Sequence, residues 1–430
     1  MPEKLEKPTR CRKRSRTIDT SDFFAKYFEY IGDTESPAIY HRWTALSILG
    51  ALLGRQVHLA FGNGVIYPNQ YIMLMGSPGA RKGTAMKAGK MLLRAAGYNT
   101  FAADAVSKEM FLADMGRKED QELEELSLET LVSDEEPCTE SYVFAEEFND
   151  FIGQGDILFI TRLTNLWDNL PEFRHPKLHG KSVYICKPTV NIFGANTQQN
   201  LALAIPSEAI GNGFCSRMLF IHGDPTGKKI TFPEPALAET KDWLIQRLMF
   251  IRKNMTGQVR IEKEAIPIFD RIYKEFRPID DHRFAHYSQR RFTHLLKICA
   301  IIAVANTRMY VTAEDAINGN TVLSAAERRM PKALGEFGKA RNSAATSTIL
   351  EHLHKCLIPQ SPTDLWKIVS KDLNKFPELQ EILLNLTKAD KVQIVKIAGK
   401  QGYLPKNIVE DKWDTSLLNM DYLTQEEQDL

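Results

Sequence analysis

The sequence has no run long enough to cross a bilayer. Its longest mostly apolar stretches, Ala45–Gly54 and Ile298–Ala305, fall well short of the ~20 residues a membrane helix needs. No secretory hydrophobic segment follows Met1 either. Cysteine is scarce: Cys11, Cys138, Cys186, Cys215, Cys299 and Cys356 are scattered, with no C-x-x-C pair. That argues against a disulfide framework and zinc fingers, and it fits a reducing cytoplasm. Net charge is also nearly absent. The 55 Lys and Arg stand against 54 Asp and Glu. No whole-molecule field draws the chain to nucleic acid, so any DNA contact must use a local patch.

What remains is a globular composition, 43% hydrophobic and 25% charged. With 430 residues there is room for two to three domains. Charge is local. Lys4, Lys7, Arg10, Arg12, Lys13, Arg14 and Arg16 make residues 1–20 a disordered basic arm, or simply a solvated tail. Residues 117–140 are strongly acidic and read as an exposed insertion, and residues 406–430 as a poorly ordered acidic tail.

Between these segments the pattern is α/β. Residues 21–70 read as a helical segment, with helical spacing at Phe23–Tyr30 and Ala38–Leu53. Residues 71–240 read as an α/β core. Tyr71–Met75, Ser141–Ala145, Val190–Gly194 and Met218–His222 are buried strands, and their alternation with helices implies a mostly parallel sheet. Residues 241–342 read as a helical lid, with capping-box spacing at Thr312–Asp315. In 343–405, three helical runs and a turn at Gly399–Gly402 predict three helices and a two-stranded wing, which together would make a small winged-helix domain.

The loop Gly76-Ser77-Pro78-Gly79-Ala80-Arg81-Lys82-Gly83-Thr84 lies between a predicted strand and a predicted helix. This is the setting of a phosphate-binding loop, in which backbone N–H groups and the helix N-terminus cradle the phosphates of ATP and the Lys reaches the terminal ones. A Gly-rich turn with a surface Lys is the plainer alternative. Arg81 replaces the usual last Gly. Gly83 occupies the place of the Ser or Thr that ordinarily holds Mg²⁺. Thr84 is the candidate replacement; otherwise Glu146 and water hold the ion alone. A second element should lie on the neighbouring strand: Tyr142–Ala145 ends in Glu146-Glu147, with Glu146 for the Mg²⁺ shell and Glu147 as base toward an attacking water. Asn196 ends a further strand and can orient that water. Arg217 stands just before the Met218–His222 strand, placed either to neutralise a phosphoryl group of the next subunit or to form a structural ion pair.

In this order the motifs resemble the hexameric AAA+ helicases, especially a phage and plasmid replication family with G-x-x-G-x-R-K-S-T loops, over residues 21–330. The resemblance makes Arg81 a family trait and leaves Gly83 as a departure. The later part is also similar to the minichromosome-maintenance helicases. Ser216-Arg217 matches their arginine finger, and Ser288–Thr293 resembles their sensor-2 helix, with Arg290 in the sensor place. Glu172–Lys181 reads as a hairpin tip. In those helicases such a hairpin points into the ring and grips the DNA backbone, which would give Arg174, His175, Lys177, His179 and Lys181 to phosphate contacts. A solvated turn is the bland alternative.

The resemblance thus implies an ATP- and Mg²⁺-dependent homo-oligomeric ring, a hexamer, on single-stranded or forked DNA. Its setting would be replication of a phage or mobile element in the host cytoplasm, with any primase a separate chain. A helicase loader or initiator, and an ATP-binding DNA scaffold with weak hydrolysis, are the alternatives.

Overall fold

The computed structural model describes residues 22–102, 108–116, 138–153, 155–175, 182–205, 213–279, 281–335, 343–356, 358–371, 373, 375–388, 391–397, 400–406 and 415–428. The basic arm, residues 117–137 of the acidic segment, and Lys177, His179 and Lys181 lie outside them.

Among the described residues, the strands in chain order are β1 (Val57–Phe61), β2 (Gly64–Ile66), β3 (Tyr71–Met75), β4 (Thr139–Ala145), β5 (Glu172–His175), β6 (Val183–Cys186), β7 (Pro188–Asn196), β8 (Met218–His222), β9 (Gly257–Ile261), β10 (Tyr310–Val311), β11 (Val392–Ile397) and β12 (Lys400–Pro405). The central sheet has the order β4-β7-β3-β8, every pairing parallel. Such strands are covered on both faces, which is why they read as continuous apolar runs. β3, β7 and β8 are buried along their whole length. A parallel bridge of Phe101 to Tyr142 extends the sheet beyond β4.

The carboxylate strand β4 is not the neighbour of the loop strand β3, as the sequence had suggested. β7 lies between them, with Met75 paired to Asn196 and Ala145 to Gly194. Sequence distance carries no information on this order, because parallel strands joined by long crossovers need not pair consecutively.

The helix Ala38–Leu53 is buried on every side. That explains its lack of an apolar stripe: it lies inside the body and not on its surface. It packs on the helices Phe23–Ile31, Lys82–Ala95, Ala238–Asn254 and Ala285–Ala305 and on strands of the sheet. Truncating a side chain such as Trp43, fully buried on it, would cost about 3–5 kcal/mol.

Two further expectations are corrected. Residues 241–342 are not wholly helical. β9 pairs with β1 and β10 with β9, so a second sheet, β10-β9-β1-β2, ties this segment to the one before β3. Both segments belong to one apolar core that runs from Phe23 to Leu334. Residues 415–428 of the acidic tail are docked. Leu417 and Leu423 join the main core. Arg42 Nε and Nη2 reach the Glu427 carboxylate at 2.7 and 2.8 Å, with the side chains 3% and 1% exposed. Glu426 Oε1 accepts from the Ala38 amide at 2.9 Å. Charge density alone suggested a solvated end; the buried cationic partner, 385 residues away, reverses that.

The expected capping box at Thr312 is present. Residues 343–405 contain the helices Ser343–Cys356, Pro362–Val369 and Phe376–Lys388 and the antiparallel pair β11–β12. They have their own apolar core, including Ile349, Leu365, Leu383 and Tyr403. No helix among the described residues is long and apolar enough to cross a membrane.

Candidate nucleotide site

The loop leaves β3 at Gly76. A side chain there would collide with the Tyr40 hydroxyl and the Gly223 carbonyl. Tyr40, on the buried Ala38–Leu53 helix, donates its hydroxyl at 2.6 Å to Met75 O or 2.8 Å to Gly223 O and so fixes the base of the loop. Gly79 has φ 84°, a conformation suited to Gly. Arg81 has φ 58° and forms the N-cap of the Lys82–Ala95 helix. Its guanidinium pairs with Glu35 at 2.6 Å, which stabilises a backbone conformation that costs a non-Gly residue energy. Lys82 Nζ folds back to donate to Gly76 O at 2.8 Å and Ser77 O at 3.0 Å. Burial pulls its pKa below the usual value, and the Glu147 charge opposes that shift.

Glu146 and Glu147 follow the end of β4, both exposed. Glu146 Oε2 lies 3.2 Å from Lys87 Nζ and faces Gly83, where an added β-carbon would stand 2.9 Å away. Thr84 is exposed on the same helix. Asn196, 2% exposed, donates to Asn149 Oδ1 at 2.7 Å. Asn149 in turn donates to Asn200 O at 3.0 Å. The strand order thus brings Lys82, Glu146, Glu147 and Asn196 to one end of the sheet.

Arg217 and Arg290 are not at this end. Arg217 precedes β8, whose first residue pairs with Tyr71, the first of β3. Five residues of strand, about 17 Å, separate that edge from the loop. Arg217 is 6% exposed and holds Asp168 through Nη2 to Oδ2 at 2.5 Å and Nε to Oδ1 at 3.2 Å. Within one chain it forms an ion pair with Asp168. Arg290 Nη1 lies 3.9 Å from the same carboxylate. Both guanidinium groups sit over Trp167, as does Lys297 with Nζ 3.8 Å from the ring centre. Burial holds the Lys297 pKa well below the usual lysine range; its ammonium donates to Asn69 O and Oδ1 at 2.9 and 2.6 Å.

The hairpin is formed as expected: β5 pairs with β6, Arg174 opposite Tyr184 and His175 opposite Val183. It leads into the first residue of β7, the end of that strand away from Asn196. Arg174 is partly neutralised by Glu172 at 2.9 Å.

Two residues were missed by sequence reading. Asn149, two positions after Glu147, could have been noticed as a polar residue beside the carboxylates. Arg329 carried no such signal. It is 6% exposed; burial pulls its pKa below the usual value, against the charges of Glu427 and Asp224. Its Nη1 has no hydrogen-bond partner among the described residues.

No protein-family model matches this chain, and no curated protein matches it.

Proposed function

We propose that the chain is an ATP hydrolase of the AAA+ type that forms a ring and moves on DNA during replication of a phage or mobile element. One observation carries the reading: Lys82 and Glu147, which follow β3 and β4, and Asn196, the last residue of β7 between those strands, lie at the carboxyl end of a parallel sheet. In this reading the ATP phosphates take the place of the Gly76 and Ser77 carbonyls as partners of Lys82. Glu147 accepts the proton of the attacking water, and Asn196 orients that water. Mg²⁺ would neutralise charge on the terminal phosphates, and Glu146 is the residue placed to hold it, with Thr84 or water completing its shell. Arg217 and Arg290 lie about a strand length from their own loop, so a role at phosphate would have to be at a neighbouring subunit's nucleotide. That supports a homo-oligomer, a hexamer by resemblance.

The β5–β6 pair, with Arg174 and His175 on β5 and Lys177, His179 and Lys181 between the two strands in sequence, supports contact with single-stranded or forked DNA. The three-helix and hairpin unit after residue 342 has the composition of a winged helix, which adds to that support. A second reading, an ATP-binding DNA scaffold with weak hydrolysis, is favoured by the tie between Glu146 and Lys87 and by Gly83.

The test is ATP turnover and ATP binding by three proteins. The parent should hydrolyse ATP, K82A should not, and E147Q should bind without hydrolysing. Normal turnover by K82A would remove the assignment; a parent that binds without turnover would favour the scaffold. Unwinding of forked DNA separates a motor from a loader.

A further inference from the structure

A phosphate-binding loop ordinarily carries a hydroxyl directly after its Lys, and that hydroxyl joins the metal shell. Here the position is Gly83, and what faces the bare backbone is the Glu146 carboxylate. The 2.9 Å between Oε2 and a β-carbon built on Gly83 is closer than such atoms normally come. A side chain at residue 83 and the present position of Glu146 are therefore mutually exclusive. Lys87, one helical turn beyond Gly83, holds the same oxygen at 3.2 Å. Thr84 cannot use this space, because successive side chains leave a helix about 100° apart.

We infer that Gly83 and Glu146 are a coupled pair: the long carboxylate at the end of β4 occupies the space of the absent loop hydroxyl and takes over its part in holding a divalent cation. This rests on the nucleotide reading above. A carboxylate oxygen is a hard donor suited to Mg²⁺ and brings a full negative charge where a hydroxyl brings none. Glu stands where Asp is usual because the extra methylene lets the carboxylate cover residue 83. The departure at Gly83 and the departure at Glu146 are then one change and not two.

The test is a double-mutant cycle read by Mn²⁺ binding, using electron paramagnetic resonance on the full chain with ADP. The proteins are the parent, G83S, E146D and G83S/E146D. The melting temperature of each is measured without ligand. G83S should push the carboxylate aside and E146D should withdraw it, each weakening Mn²⁺ binding by about 10–100-fold, the range for disturbing groups around a metal site. The double variant should regain most of that loss, since a short acid and a hydroxyl restore the usual pair. Melting temperatures should stay close together, because the clash falls on the far end of a flexible side chain. The pairing is overturned if G83S alone tightens Mn²⁺ binding, or if the two losses simply add. ADP binding with additive losses sinks the pairing and leaves the nucleotide site standing. A parent that binds neither ADP nor Mn²⁺ removes both.

Discussion

At the carboxyl ends of β3, β4 and β7 a Lys, two carboxylates and an amide gather around a Gly-rich loop. At the amino ends of β3 and β8 two arginines share the single carboxylate of Asp168 above Trp167. In the first group the Lys contacts are local, while Asn196 bonds to Asn149, 47 residues away. Lys82 reaches carbonyls five and six residues away, and Glu146 and Glu147 are exposed. The second centres on one buried cation: Arg217 is 6% exposed and 49 residues from Asp168, while the Arg290 and Asp168 side chains are about a third exposed. The second end holds cations in excess over the carboxylate that pairs them. In the proposed reading the two edges meet across two subunits and not within one.

The largest effect is expected from removing a contact that supports the loop end only. Glu427 pairs with Arg42, and Glu426 caps the helix that carries Tyr40, the residue under the loop. In E427A the Arg42 guanidinium stays buried without its carboxylate, a loss of about 3–5 kcal/mol. Chemical denaturation should show the variant less stable by that amount. An unchanged midpoint would mean that the tail merely rests on the body.

Next in size is the loss of Arg217 alone. R217A should retain ATP binding, since the loop is untouched, and lose turnover, an arginine finger being worth about 10³–10⁵ in rate. Full turnover by a stably folded R217A would leave Arg217 with its observed role, pairing with Asp168.

The hairpin sharpens the comparison from the DNA side. K177A/K181A should weaken single-stranded DNA binding and make its salt dependence shallower by about one to two in slope, with sequence preference unchanged. Basal ATP turnover should survive, because Lys82 and Glu147 lie at the other end of the sheet. Binding and unwinding like the parent's would leave the hairpin an ordinary surface turn.

The smallest effect is expected from T84A. Glu146 faces Gly83 and not Thr84, so the Mg²⁺ dependence of turnover should shift by less than about threefold, below the roughly tenfold loss that disturbing a metal-site group brings. Loss of Mg²⁺-dependent hydrolysis in T84A would return the hydroxyl's task to Thr84.

Much of the loop end was legible in the sequence because its signals are local. Doubly covered strands leave continuous apolar runs, so Tyr71–Met75 and Met218–His222 were readable with their ends. The capping box at Thr312 needs only four residues. The insertion of β7 between β3 and β4, the Asp168 partner of Arg217, the docking of Glu427 on Arg42 and the burial of Arg329 all depend on distant segments meeting. No periodicity or spacing records those contacts. Short β9 and β10 were lost among helices for a similar reason: two to five residues are too few to show a period of two.

In the proposed reading the two ends of the sheet are halves of one site shared between subunits. The most direct test mixes K82A, which keeps Arg217, with R217A, which keeps Lys82, after mixed assembly has been confirmed by mass photometry. Each variant alone should be inactive. The mixture should regain ATP turnover, because some interfaces then join an intact Lys82 to an intact Arg217. A mixture that assembles and stays inactive would contradict the account.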